Sequence, residues 1–247
     1  MAVIKDNFSE QAGDYAIYRP RYPEELYTYI LSMVHERKYA LDVATGNGQV
    51  AVALSEYFEK VTAIDISEKQ ISNSTPRNNI QYSIASAEQT GFANDQFDLI
   101  TVGQAAHWFD LPKFYEEAKR IMKPGGLLAL FGYKLPTIDA ETDAVVMELY
   151  DGLLGPFWDP ERALVDAGYE TLWFPFNREP HPAFQMECEW TFEQLIGFLS
   201  TWSAAQHYIK KFGEHPVTIF KEKLREGWGT AEVKKINFPV FLLTTSM

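Results

Sequence analysis

Two short stretches of this sequence carry residue types that bind nucleosides. Residues 41–51 read Leu-Asp-Val-Ala-Thr-Gly-Asn-Gly-Gln-Val-Ala, which predicts a buried strand, a glycine turn and the start of a helix. Residues 61–65 form the next apolar run, which ends in the carboxylate of Asp65. Glycines let the backbone approach a ligand, a helix N-terminus supplies amide donors, and an acid after the second strand accepts hydrogen bonds from ribose. Together these features predict a nucleoside-binding half-domain.

The residues around the turn bear on which nucleoside binds. Residues 46–51 satisfy the glycine, glycine, alanine pattern of dinucleotide sites, so a nicotinamide dinucleotide is one alternative. Asp42 lies inside the first strand, where its carboxylate suits a cation that carries an amino group and a sulfonium, and suits a pyrophosphate poorly. Two further segments also favour a sulfonium ligand over a dinucleotide: the pattern from Ser86-Ala87-Glu88 to Asp98, and the Lys-Pro-Gly-Gly of residues 123–126. The sequence therefore favours S-adenosylmethionine.

Alternating strands and helices must position these residues. The predicted strands cover residues 40–44, 61–65, 80–85, 97–102 and 127–133, and the predicted helices cover 49–57, a segment that opens at Ser67, and 111–122. This alternation predicts a parallel, doubly wound sheet with right-handed crossovers. A further helix is predicted before the first strand, at 24–37. The part after residue 133 is less regular: helices are predicted at 139–154, 161–167, 217–226 and after Thr191, with a last strand at 238–245.

Composition limits the classes of partner. The chain has 247 residues, 46% of them apolar and 15% aromatic, which indicates a packed α/β protein. Its net charge of −12 leaves no electrostatic footprint for nucleic acid and little attraction for an anionic membrane. One cysteine excludes an intrachain disulfide, and no apolar run is long enough to span a bilayer. We therefore expect a cytoplasmic protein that binds neither nucleic acid nor membrane.

The sequence also resembles a known family. The matching segments are 41–48, 61–67, 85–88, 97–98, the Ala-His-Trp-Phe-Asp of 106–110, 123–126, the arm 18–23 and Thr-Trp-Ser at 201–203. On these residues the chain resembles class I S-adenosylmethionine-dependent methyltransferases of the type 11 kind. Within them it is most similar to the trans-aconitate and related small-molecule methyltransferases. Residues 44–45, Ala-Thr, depart from the family's usual glycine and small residue.

The resemblance implies a set of cofactor-binding residues. Asp42, Ala44, Gly46 and Gly48 would line the methionine and ribose part, and Asp65 would hold both ribose hydroxyls. The remaining cofactor-binding residues are Ile66 against the adenine face, Ala87 and Glu88 at the adenine edge, Gln104 at the methionine moiety, and Tyr18 and Arg19 closing over the cofactor.

Candidate residues for the methyl acceptor are less sharply defined. His107 follows the fourth strand, at the edge where open α/β sheets bind ligands. It either orients or deprotonates the acceptor, or it is a hydrogen-bonded, partly buried structural histidine; the sequence leaves both open. The candidate substrate-binding residues are Trp108, Tyr133, Trp158, Arg178 and Trp202. Histidine and acidic residues do not recur at metal-ligand spacing, so we expect no metal.

These observations predict an S-adenosylmethionine-dependent methyltransferase with a small-molecule acceptor, methylated on a carboxylate or hydroxyl oxygen. The alternatives are a nicotinamide-dependent oxidoreductase and a non-catalytic cofactor-binding protein. The expected architecture is a Rossmann-like, doubly wound, mostly parallel seven-stranded sheet with a helical, aromatic cap, as a monomer or homodimer. Residues 1–38 would form an arm and helix over the cofactor, 39–134 the cofactor-binding core, and 135–247 the cap and the last strands.

Overall fold

Seven strands form one sheet in the computed structural model, which describes residues 18–246. The strand order is β3-β2-β1-β4-β5-β7-β6. Strands β1 to β5 run parallel, and β7 is antiparallel to both β5 and β6. The strands are β1 Tyr39–Val43, β2 Lys60–Asp65, β3 Ile80–Ile84, β4 Phe97–Gly103, β5 Met122–Tyr133, β6 Phe184–Thr191 and β7 Val233–Ser246. This confirms the predicted Rossmann-like, mostly parallel seven-stranded sheet.

Helices connect the strands and cover the sheet. The α-helices are α1 Glu24–Ser32, α2 Gln49–Leu54, α3 Glu68–Ser72, α4 Leu111–Ile121, α5 Ala140–Met147, α6 Arg162–Asp166, α7 Phe192–Ser200, α8 Ser203–Phe212, α9 Pro216–Ile219 and α10 Lys221–Trp228. Within residues 18–246 there are also a π-helical turn, Glu148–Leu153, and two 3₁₀ turns, Ala106–Trp108 and Gly155–Phe157. No helix in the described part of the chain is both long and apolar enough to cross a membrane.

Most helix boundaries agree with the sequence predictions, with four differences. Helix α1 ends at Ser32, five residues before its predicted end at Arg37. Helix α2 ends at Leu54, three residues before the predicted end, and the predicted helix over 217–226 is divided into α9 and α10. Helix α8 was not predicted, because Trp202 stands at its N-cap and provides no capping side chain. Ser67 and Thr191 cap α3 and α7 as predicted, since each side chain accepts a hydrogen bond from the third helical residue.

The core consists of two apolar layers, one on each face of the sheet. Alternate strand residues point to opposite faces, so Ala40 of β1 packs with α1 and α2, whereas Leu41 packs with α4. Helices α7 and α10 of the predicted cap share the layer that holds α1 and α2, whereas Val165 of α6 packs in the other layer. The division at residues 38/39 and 134/135 stays a prediction, and residues 1–17 of the predicted arm lie outside the described residues.

The sheet positions a crevice where its strand order reverses. Strands β1 and β4 are neighbours, but the chain leaves them toward opposite sides of the sheet. Open α/β sheets bind ligands at such a point, outside the carboxyl ends of the strands. Both strand ends turn through left-handed backbone at residues other than glycine, Ala44 at φ 53° and Gln104 at φ 56°. Such conformations are costly, and they cluster at ligand sites.

Candidate active site

A cavity of about 640 Å³ opens at the carboxyl ends of β1, β2 and β4. Its size lies within the range of small-molecule and cofactor sites. It is lined by these residues predicted from the sequence: Arg19, Ala44, Gly46, Asp65, Ile66, Ala87, Glu88, Gln104, His107, Trp108, Tyr133, Trp158 and Trp202. Tyr18, Asp42, Gly48 and Arg178 do not line it. The structure therefore brings most of the predicted residues to one place.

The glycine turn forms the floor of the cavity. Gly46 and Gly48 both have left-handed backbone, at φ 56° and 87°, and Gly48 is the N-cap of α2. Gly46 lines the cavity, whereas Gly48 packs against Tyr82 beneath it. A Cβ at Gly48 would lie 2.4 Å from the Tyr82 hydroxyl oxygen, so no side chain fits there. The two glycines thus differ: Gly46 faces the cavity, and Gly48 allows close packing against Tyr82.

Asp65, at the end of β2, is held in place by backbone amides. Its Oδ2 accepts a hydrogen bond from Gly46 N at 2.8 Å, and its Oδ1 accepts one from Ser67 N at 2.9 Å. Each carboxylate oxygen can accept further bonds, so the group is oriented and still able to bind hydroxyls. Ile66 beside it is 42% exposed, which offers an apolar surface to a planar base. A carboxylate acceptor for hydroxyls beside an exposed apolar side chain fits the ribose and adenine of S-adenosylmethionine.

Asp42 lies below the cavity and does not reach its surface. Its side chain is 1% exposed and accepts hydrogen bonds from the hydroxyls of Thr45 and Thr101, the latter at 2.9 Å. Burial raises the pKa of Asp42 to about 7, although both hydroxyl donors act in the opposite direction. Thr45 lines the cavity and lies between it and Asp42. Asp42 can therefore influence a bound cation through its charge rather than through direct contact.

The polar side-chain atoms of Glu88 and Gln104 form hydrogen bonds with other residues of the protein. Glu88 Oε1 accepts a hydrogen bond from Asp110 N at 3.0 Å, and its other oxygen accepts one from Ser86 Oγ. Gln104 donates from Nε2 to Tyr133 O at 3.1 Å and accepts from Tyr133 N at 2.7 Å. Glu88 thus connects the loop after β3 to the start of α4, and Gln104 connects the ends of β4 and β5. Both residues shape the wall of the cavity.

The end of the arm contacts the cap. Arg19 donates to the Tyr133 hydroxyl at 2.8 Å and to Thr201 O at 3.2 Å, and its guanidinium carbon lies 5.2 Å from the centre of the Phe198 ring. Tyr18 packs closely against Gly197 of α7, where a Cβ would lie 2.5 Å from the tyrosine ring. Arg19 therefore faces the cavity, whereas Tyr18 anchors the chain to α7.

His107 is held by Tyr169. The residue lies in the 3₁₀ turn after β4, and its Nδ1 is 2.8 Å from the Tyr169 hydroxyl, which also accepts from His107 N at 3.4 Å. Because that hydroxyl accepts from the main chain, its own proton is available to Nδ1, which favours the tautomer with the ring proton on Nε2. Burial and the Arg162 cation lower the pKa of His107 to about 3. His107 is therefore a neutral ring suited to donate a hydrogen bond.

Aromatic side chains and the cation of Arg162 contribute to the other end of the cavity. The Trp158 and Trp202 rings lie 5.5 Å apart, each packs on Tyr150, and Trp108 packs on His107. Arg178 is not part of this arrangement. Its guanidinium donates instead to the carbonyls of Tyr169 and Leu172, at 3.0 and 2.9 Å.

Arg162 lines this end of the cavity, and it was missed from the sequence. Only its position in the sequence could have identified Arg162 as a candidate. It follows Trp158 by four residues at the start of α6, next to a tryptophan already singled out as a pocket candidate.

Four features now define the class of site. They are a glycine turn after β1, an anchored acid at the end of β2, a cavity at the sheet's switch point and an antiparallel seventh strand. Together they define the nucleoside-binding site of a class I methyltransferase fold.

Comparison with known proteins agrees with this class. The sequence model of the methyltransferase domain family matches residues 41–130. A Dictyostelium discoideum protein named as a methyltransferase is 33% identical over 246 residues, which cover 96% of this chain and 94% of that protein. A solved structure from Anaeromyxobacter dehalogenans, described as a type II methyltransferase, is 37% identical, covers 93% of this chain and 98% of its own, and has a TM-score of 0.84. A Bacillus halodurans structure, 21% identical over 91% of this chain and 99% of its own at a TM-score of 0.51, shows the fold alone.

The chain belongs to the methyltransferase domain family. Its cofactor is S-adenosylmethionine, and the protein is an S-adenosylmethionine-dependent methyltransferase. The relatives do not support the nicotinamide-dependent alternative that the glycine pattern raised.

Proposed function

We propose that this enzyme methylates an oxygen of a small-molecule acceptor, either a carboxylate or a hydroxyl. The observation that supports this most directly is the continuity of the cavity. One space of about 640 Å³ extends from Asp65 and Ile66 at the nucleoside end to Trp158 and Trp202 at the aromatic end. Since the cofactor must share this volume with the acceptor, a small acceptor with apolar surface fits best.

The division of labour within the site follows from the chemistry of the cofactor. When bound, S-adenosylmethionine supplies a methyl group on a positively charged sulfur, which is already a strong electrophile. The chain's own residues then need to bind, orient and exclude water. We assign the ribose to Asp65, the adenine to Ile66, Ala87 and the loop that Glu88 holds, and the methionine end to Ala44, Gly46 and the wall that Gln104 forms.

His107 is proposed to orient the acceptor by donating a hydrogen bond from Nε2. Its low pKa and its contact with Tyr169 support a donor role over that of a general base. A carboxylate acceptor is ionised at neutral pH and needs no base, so it suits this ring. A hydroxyl acceptor would have to be acidic enough to lose its proton to water or to another group of the site.

Residues 1–38 are proposed to cover the cofactor and residues 135–247 to enclose the acceptor. For the described residues, this is supported by the contacts of Arg19 with Tyr133 and Thr201, which join the end of the arm to β5 and the cap. Such a cover would keep water away from the reacting atoms. It would also have to open for each turnover.

A turnover assay tests the proposed function. Purified enzyme and S-adenosylmethionine are incubated with a panel of small carboxylic acids, phenols and amines, and S-adenosylhomocysteine and methylated product are measured by mass spectrometry. We expect an ester or an ether from at least one acid or phenol. An Asp65→Ala variant serves as the control for contaminating activity. Methylation confined to amines, or none across the panel with cofactor bound, would contradict the proposal.

A further inference from the structure

Arg162 is fixed within the cavity in a way that leaves one end of its guanidinium group unused. Its Nε donates to the Tyr150 hydroxyl at 2.8 Å and to Asp166 Oδ1 at 2.9 Å. Its two terminal nitrogens make no hydrogen bond to any of the residues 18–246. The side chain is 18% exposed and lines the cavity. The guanidinium group is thus anchored at Nε and open at its terminal edge.

Neighbouring groups keep this guanidinium in one orientation. The Tyr150 hydroxyl donates in turn to Asp166 Oδ2 at 2.7 Å, which closes a ring of three side chains. The guanidinium carbon lies 4.9 Å from the centre of the Trp158 ring and 5.3 Å from that of Tyr150. Trp158 is itself tied to Tyr150 O at 3.0 Å through Nε1. A cation that is held in place before binding loses little conformational entropy when it binds a partner.

The charges around Arg162 decide what it can bind. Burial is the main cause of the lowered pKa of His107, and the positive charge of Arg162 lowers that pKa further. Asp159 and Glu161 also line this end of the cavity, and Asp159 lies 3.9 Å from His207 Nδ1. Asp166 offsets part of the charge of Arg162 through an ion pair, but its own side chain is 40% exposed, so the pair is screened by solvent. These carboxylates oppose an anion, but the terminal nitrogens of Arg162, which donate to none of residues 18–246, can still bind one directly.

We infer that Arg162 binds a carboxylate group of the methyl acceptor, so that the substrates are small organic acids with an apolar, planar part. This inference rests on the proposed function and names its substrate class. A planar carboxylate presents two oxygens that match the two terminal nitrogens of a guanidinium. The Trp158 and Trp202 rings beside it provide the apolar surface that such an acid would cover. The inference concerns the group that is held, whichever oxygen receives the methyl.

A binding experiment on the complex with S-adenosylhomocysteine tests the inference apart from turnover. Benzoate and fumarate are titrated by calorimetry into that complex, with benzamide and fumaramide as uncharged counterparts of nearly equal shape. At least one acid should bind, and its amide should bind far more weakly. Equal binding of the acids and the amides would overturn the inference, and so would preferred binding of benzylamine, which would indicate a cationic acceptor held by the acidic side chains.

Three variants assign the effect to Arg162. Arg162→Gln should weaken acid binding about 10- to 100-fold, the range expected for a lost charged hydrogen-bond pair. Arg162→Lys keeps the charge but loses the planar fork, and should recover only part of the affinity. Arg178→Gln is the matched control, because Arg178 lies outside the cavity, and should change nothing. Unchanged acid binding in both Arg162 variants would refute the inference.

Failure of this inference is distinguishable from failure of the proposed function. S-adenosylhomocysteine affinity within twofold of wild type shows that each variant is folded and has an intact nucleoside site. If that affinity holds and wild type methylates a neutral phenol while no acid binds, the assignment to Arg162 is wrong and the proposed oxygen methylation stands. If wild type methylates only amines, or no small molecule at all, the proposed function itself is wrong.

Discussion

Replacing the buried Asp42 carboxyl with an amide should remove a pH dependence of stability. Burial raises the pKa of Asp42 from 3.8 to about 7 in the folded protein. Between these values the folded chain keeps a proton that the unfolded chain has lost. The free energy of unfolding of wild type therefore falls as the pH rises through this window, and the fall ends once the pH exceeds about 7.

The magnitude follows from the size of the shift. A shift of about 3 pKa units at about 1.4 kcal/mol per unit corresponds to about 4 kcal/mol over the whole window. About 3 kcal/mol of this falls between pH 5 and 8. Asn has the size of Asp, and the hydroxyls of Thr45 and Thr101 can rotate to accept from its amide, so Asp42→Asn should fold. From pH 5 to pH 8, the free energy of unfolding of Asp42→Asn should therefore rise by about 3 kcal/mol relative to that of wild type.

Urea denaturation of both proteins at pH 5, 6, 7 and 8, at constant ionic strength and without cofactor, measures this difference. Asp98→Asn is the matched control. It removes a buried strand carboxylate that is paired with Lys123 at 2.5 Å, and it should destabilise the protein at every pH tested. A difference between wild type and Asp42→Asn that stays constant within about 0.5 kcal/mol from pH 5 to 8 would refute the account of Asp42.

Two further predictions concern the turn and the histidine. Gly48→Ala places a Cβ 2.4 Å from Tyr82 and should cost about 2 to 4 kcal/mol in chemical denaturation. Gly213→Ala, also left-handed at φ 73° but with open space around it, should cost clearly less; equal losses would contradict the packing argument. Tyr169→Phe removes the partner of His107 Nδ1, so ¹⁵N NMR of the imidazole should change from one tautomer to a mixture. An unchanged spectrum would show that Tyr169 does not set the tautomer.

The first half of the fold was predictable because its signals are local. Each parallel strand is an apolar run between helices, so the strands up to β5 were predicted to within about two residues, apart from the start of β5. Capping side chains marked the starts of α3 and α7. The later part gave weaker signals: β6 lies in a segment predicted only as extended, and β7 begins five residues before its predicted start, at Val233. These strands pair antiparallel at the edge of the sheet, where alternating exposure makes the apolar pattern discontinuous.

The candidate site shows the same contrast: contacts within one local motif were predictable, and contacts between distant residues were not. The glycine turn and Asp65 belong to one continuous motif, so their proximity could be expected from the sequence. The Gln104–Tyr133 and His107–Tyr169 contacts join residues 29 and 62 positions apart, and no local pattern encodes them. The prediction of Arg178 instead of Arg162 as a cavity-lining arginine has the same cause. Which of the two faces the cavity depends on how the segment after α5 folds back over the sheet.

Isothermal titration calorimetry of the nucleoside site tests the central claim most directly. Wild type should bind S-adenosylmethionine and S-adenosylhomocysteine and show no heat with NAD. Asp65→Ala should lose about 10- to 100-fold in affinity for both, because two charge-assisted hydrogen bonds to ribose disappear. Heat with NAD and none with either sulfur nucleoside, or full affinity in Asp65→Ala, would contradict the account.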